Sequence, residues 1–138
     1  MPMPHAIEAR PFYRAAIHRF DEAEFLLEGG RRTGAIYLAG YGVECMLKSL
    51  IISVVPAARR GDLVATFRGQ RAHNYDWLRY QYLQNGGAQF PPDIAKAFAL
   101  VNTWDTELRY ETREATPREA EGFLSSAKRI IQWANGRL

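Results

Sequence analysis

The stretch Gly34-Ala35-Ile36-Tyr37-Leu38-Ala39-Gly40-Tyr41-Gly42-Val43-Glu44-Cys45-Met46-Leu47-Lys48 decides the fold, because it reads as one helix with three unlike faces. Extended from Arg31 or Arg32 to Val54, with Thr33 as an early cap, it gathers Ile36, Val43, Leu47, Leu50 and Val54 on an aliphatic face. Ala35, Ala39, Gly42, Met46 and Ser49 form a seam of mostly small residues, and the third face reads Tyr37, Tyr41, Glu44, Lys48. Glycine inside a helix costs up to ~1 kcal/mol relative to alanine. Gly34, Gly40 and Gly42 therefore imply that another backbone packs close, and the stretch is predicted to be a tightly packed central helix.

The segments on either side are helical too. Tyr13, Ala16, Ile17, Phe20, Ala23 and Leu27 mark one face of a helix over residues 11–28, with Pro11 in its first turn and Gly29-Gly30 at its end. After Pro56, residues 59–70 form a basic stretch around Leu63, Val64 and Phe67 that suits either a short helix or an ordered loop. His73-Asn74 introduces an aromatic third helix of two to three turns that stops at Asn85-Gly86-Gly87. Pro91-Pro92-Asp93 opens a fourth, whose stripe Ile94, Ala97, Val101, Trp104, Leu108 alternates steps of three and four. Thr116-Pro117-Arg118-Glu119 is a capping box that opens a fifth, with Ala120, Phe123, Ala127, Ile130 and Ala134 as its buried edge. No alternating strand pattern occurs. The expected fold is all-α, an up-and-down bundle of four main helices plus a shorter one.

Bulk properties narrow the class. A chain of 138 residues suits one domain over 1–138, with residues 1–8 expected as a flexible N-terminal tail. Hydrophobic residues at 47% and charged residues at 24% argue against disorder. The apolar run at 47–55 is interrupted by Lys48 and Ser49 and falls short of the ~20 residues of a membrane span. The start, Met1-Pro2-Met3-Pro4-His5, lacks the features of a secretory signal. With Cys45 as its lone cysteine, the chain is expected in the cytoplasm without a disulfide. The net charge of +3 permits contact with nucleic acid without requiring it. Neither a metal nor a dinucleotide cofactor is implied, since Glu-x-x-His pairs, a phosphate-cradling Gly-Lys-Ser/Thr loop and a Gly-x-Ser-x-Gly elbow are all missing.

The central stretch resembles the second helix of HEPN domains. The segment from His73 to Leu78 and the later Trp104-Asp105-x-x-Leu108-Arg109-Tyr110 extend the resemblance to one branch of that family and over most of the chain. The resemblance implies a helical bundle that often forms a homodimer, frequently beside a minimal nucleotidyltransferase in toxin-antitoxin pairs, and in many members a metal-independent ribonuclease. The signature of those ribonucleases is an arginine, usually followed by a polar residue, and a histidine after four to six intervening residues. Here Arg109 is followed by Tyr110 and no histidine lies downstream. The formal match is Arg68-Gly69-Gln70-Arg71-Ala72-His73, in the connector before the third helix.

Two groups of candidate residues follow. Cleavage by the ribose 2′-hydroxyl needs a base near neutral pH and a cation for the phosphate, which casts His73 as base and Arg68, Arg71 or Arg109 as phosphate ligands. Structurally, His73 serves as well as a cap or staple for the third helix. Tyr41, Glu44 and Lys48, with Tyr37, could bind a nucleotide or phosphate. As the alternative, Glu44 and Lys48 make a favourable i,i+4 pair, Asp105 and Arg109 another, and the residues favour a polar network between helices. Function is thus expected to be RNA or nucleotide binding, with or without cleavage, or a non-catalytic module that binds a partner such as a nucleotidyltransferase. Cys45 is expected to be a small buried residue and no nucleophile.

Overall fold

A computed structural model describes residues 3–138, and it is helical with no strand among them. Helix α1 spans Arg10–Glu28 and α2 spans Arg32–Val54. The short α3 covers Arg60–Ala65, α4 Tyr75–Gln84, α5 Pro92–Val101 and α6 Pro117–Asn135. Short 3-10 turns at Ile7–Ala9, Ala57–Arg59, Gln70–His73 and Thr106–Tyr110 join them.

Helix α2 is the rod around which the others are arranged, packing on α1, α6 and α4. A short connection with Gly30 at φ 78° folds α1 back along α2. The small seam explains how closely they lie: a Cβ on Gly42 would stand 3.3 Å from the Ala16 carbonyl oxygen. Ala35, Ala39, Met46 and Ser49 on the same seam are buried. By length and composition α2 is apolar enough to cross a bilayer, with mean hydropathy 1.4, although its charges suggested otherwise. Yet 72% of that window is buried against the rest of the chain.

Two expectations are corrected. The fourth helix was expected to run through Leu108, but α5 ends at Val101. The Asn102 side chain leaves the helix to donate to Asp76 Oδ1 (2.9 Å), and Asp105 starts a new 3-10 turn by accepting from the Glu107 N–H (2.7 Å). Trp104 remains buried at 6% exposure, reached by a turn that mimics helical spacing. Secondly, within the tail expected at residues 1–8, Pro4, Ala6 and Ala9 at its edge are buried, and Arg10 Nε donates to the Pro4 carbonyl at 3.0 Å. Ala6 and Ala9 pack with Ile52 under Phe12, Leu63, Val64 and Phe67, an apolar cluster strong enough to fix the segment. Met1 and Pro2 lie outside the described residues. Of the two readings left open for the basic stretch, the structure has the short helix, α3, so the chain has six α-helices among the described residues.

Gly40 accommodates a side chain where a close backbone was expected. A Cβ there would lie 2.0 Å from Trp104 Nε1, so the indole occupies the space a methyl group would need. The indole donates to the Tyr37 carbonyl (3.1 Å), and the Tyr75 hydroxyl donates to the Gly40 carbonyl (2.7 Å) while its ring stacks on Trp104 at 5.4 Å. Gly40→Ala should therefore lower the unfolding free energy in urea by about 3 kcal/mol through forced overpacking. Gly122→Ala in α6, where a Cβ meets nothing within 4 Å, should raise it by about 0.5–1 kcal/mol. Equal effects of the two substitutions in the same titration would refute this account of Gly40.

Candidate functional site

The third face of α2 turns inward. Glu44 and Lys48 are 3% and 6% exposed, which is rare for charged groups and demands partners. Lys48 Nζ donates to Glu44 Oε2 at 2.8 Å and lies 5.9 and 5.5 Å from the ring centres of Phe12 and Phe67. The other carboxylate oxygen, Oε1, lies 2.8 Å from His73 Nδ1. A carboxylate held ionised by an ammonium only accepts, so His73 Nδ1 carries the proton and donates. In its neutral form the ring then presents Nε2 as a lone pair.

Local sequence explains why His73 arrives there. Gly69, at φ 76°, turns the chain out of α3 into the Gln70–His73 turn. Asn74 then caps α4 by accepting from the Trp77 N–H (2.9 Å). The hydrogen bond of Tyr75 to Gly40 anchors the helix start one turn from Glu44. His73 thus acts as a latch onto α2, and the cap is its neighbour Asn74.

Tyr41 completes the group. Its ring meets His73 edge-on at 6.2 Å and Trp104 at 5.0 Å, and the Tyr37 hydroxyl donates to its oxygen at 3.3 Å. Burial first, with the Glu44 charge behind it, pushes its phenol well above the ordinary tyrosine range, against the pull of Arg109. Tyr41 is a neutral hydroxyl at physiological pH. Burial pushes the Cys45 thiol up to about 11, with Glu44 adding to the shift, so it stays protonated.

The arginines are gathered less tightly. Arg71, two residues before His73, lays its guanidinium 5.0 Å from the Trp77 ring centre at the edge of a cavity of about 490 Å³ that His73 also lines. Arg109 is exposed and stacked at 4.9 Å on Tyr110, within electrostatic reach of Tyr37 and Tyr41. Arg68 is exposed and forms no ion pair among the described residues. The anticipated pair of Asp105 with Arg109 does not form, because Asp105 caps the turn that carries both. Sequence reasoning missed the cavity walls, Asp76 and Asn102 among them. The only local signal was the Asn102-Thr103 interruption of the apolar stripe. Among the described residues no group of three or more His, Cys, Asp or Glu is placed to hold a metal.

The protein is an all-helical bundle with a buried carboxylate clamped between a lysine and a partly exposed histidine. Compared with known families, residues 9–137 match the HEPN domain, and the chain belongs to that family. Among solved structures it is similar to TT1696 from Thermus thermophilus, at TM-score 0.64 and 20% identity over 94% of this chain and 98% of that one. At that identity the likeness concerns the fold. No curated protein sequence matches.

Removing the Glu44 charge strands Lys48 without a counter-charge. Glu44→Gln should cost about 3 kcal/mol in urea unfolding, and adding Lys48→Met should restore a large part of it. Strictly additive losses in this double-mutant cycle would show that the pair does not act as a unit.

Proposed function

We propose that this HEPN protein binds RNA or a nucleotide at the surface around His73 and cleaves RNA there without a metal. The observation that carries the reading is the 2.8 Å bond from His73 Nδ1 to buried Glu44. It fixes the ring's tautomer and orientation and leaves Nε2 to a ligand, the arrangement a general base needs. Nε2 takes the proton of the ribose 2′-hydroxyl as its oxygen forms a bond to phosphorus. The bond from phosphorus to the 5′-oxygen breaks, and that oxygen leaves with a proton from water. Arg71, beside His73, and Arg109, beyond Tyr41, supply positive charge for the phosphate. Glu44, Lys48 and Tyr41 then position the base and do not touch the phosphate. Membership of the HEPN family supports the further proposals that the chain works as a homodimer, in the cytoplasm, beside a nucleotidyltransferase in a toxin-antitoxin or defence pair.

A second reading rests on the burial of Glu44 and Lys48 and the scatter of Arg68 and Arg109. On it, the latch only holds the bundle together, and the domain is a non-catalytic module that binds a partner such as a minimal nucleotidyltransferase.

Incubation of the purified protein with a mixed RNA pool in EDTA distinguishes them. Cleavage should survive chelation, and His73→Ala should slow it by at least about a hundredfold while leaving RNA binding in place. Intact RNA at high protein concentration, with partner binding retained, selects the second reading.

A further inference from the structure

The cavity beside His73 is lined by groups of both signs: Arg71 and His73 on the Gln70–His73 turn, and the carboxylates Asp76, from the first turn of α4, and Asp105, from the segment after α5. Neither aspartate belongs to an ion pair among the described residues. Each has one oxygen fixed by the protein. Asp76 Oδ1 accepts from Asn102 at 2.9 Å and Asp105 Oδ1 accepts from the Glu107 N–H at 2.7 Å. The second oxygen of each has no protein partner among the described residues, and both side chains are exposed, so each of these acceptors is open to solvent or a ligand. The Trp77 ring lines the same cavity with the Arg71 guanidinium against it, a flat surface of the kind on which bases stack.

This mixture of charges disfavours a bare anion, which the two carboxylates would repel, and suits a ligand that carries both hydrogen-bond donors and a phosphate. Ionised aspartate accepts hydrogen bonds and donates none. Of the four RNA bases, guanine alone offers two adjacent donors, N1–H and N2–H, which a single carboxylate meets with both oxygens or two carboxylates share. Cytosine and adenine offer one amino group beside a ring acceptor, and uracil flanks its N3–H with two carbonyl oxygens. A volume of about 490 Å³ lies within the range of small-molecule sites.

We propose that this cavity recognises a guanine base, with Asp76 and Asp105 accepting from its N1–H and N2–H and its phosphate turned toward Arg71 and His73. The inference deepens the ligand reading given above and rests on it. Cleavage therefore falls next to guanosine, and the aspartates are specificity-determining residues outside the proton transfer.

The test uses the whole chain and uncleavable 2′-fluoro heptanucleotides in fluorescence anisotropy: all-uridine, the same with a central guanosine, and the same with a central inosine, which lacks the 2-amino group. The guanosine probe should bind at least about tenfold tighter than all-uridine, with inosine in between. Asp76→Asn and Asp105→Asn each keep the oxygen that accepts from Asn102 or Glu107, so the fold is retained. Combined, they should narrow the preference to within about twofold, without weakening binding of the all-uridine probe. A merely structural role for the aspartates would lower all three affinities together. Tight and equal binding of the three probes, or an unchanged preference in the double variant, overturns guanine recognition and leaves RNA binding intact. Failure of every probe to bind overturns both.

Discussion

The bare peptide of Gly40 is the place on which three parts of the chain converge. With no side chain there, the Trp104 indole lies directly on α2 and bonds the Tyr37 carbonyl, while Tyr75 reaches the Gly40 carbonyl from α4. Their rings stack with an interplanar angle of 6°. The start of α4 and the segment after α5 are thereby tied to the same turn of the central helix. His73 precedes Tyr75 by two residues and Asp105 follows Trp104 by one, so this contact sets both the latch on Glu44 and the walls of the cavity.

The latch itself shows why a charged stripe can run through an apolar rod. Burying Glu44 alone would cost several kcal/mol. Lys48 at one oxygen and His73 at the other satisfy it, and the rings of Phe12 and Phe67 shelter the ammonium. A network of this kind specifies one arrangement of elements, because a shift of α4 by a single turn would leave a buried carboxylate half satisfied. The same geometry leaves His73 with one nitrogen committed and one available. The carboxylate that holds the bundle together is also the group that orients the ring.

The helices themselves were legible in the sequence wherever apolar spacing, a cap and a stop coincided. Residues 117–135 illustrate it: Thr116 accepts from the Glu119 N–H as the capping box requires, and Ala120, Phe123, Ala127, Ile130 and Ala134 are buried. The stripe from Ile94 to Leu108 misled because three-four spacing specifies which residues face inward and does not require an unbroken helix. Trp104 and Val101 are both buried although the chain between them turns. The Asn102 and Asp105 side chains, bonding backbone or neighbouring polar groups, ended one element and began another.

Sequence by itself determined the all-helical class, the central glycine-bearing rod, the existence of a polar stripe on it and kinship to the HEPN family, because each depends on periodicity or on motifs of residues adjacent along the chain. Tertiary structure alone decided which members of the candidate site meet. Glu44 and His73 are 29 residues apart, and Trp104 is 67 residues from the carbonyl it bonds. No local pattern encodes such distances. They follow from how helices of given length and connection pack on one another, and that packing set His73 against Glu44 and Tyr41, placed it with Arg71 at the cavity, and left Arg68 outside.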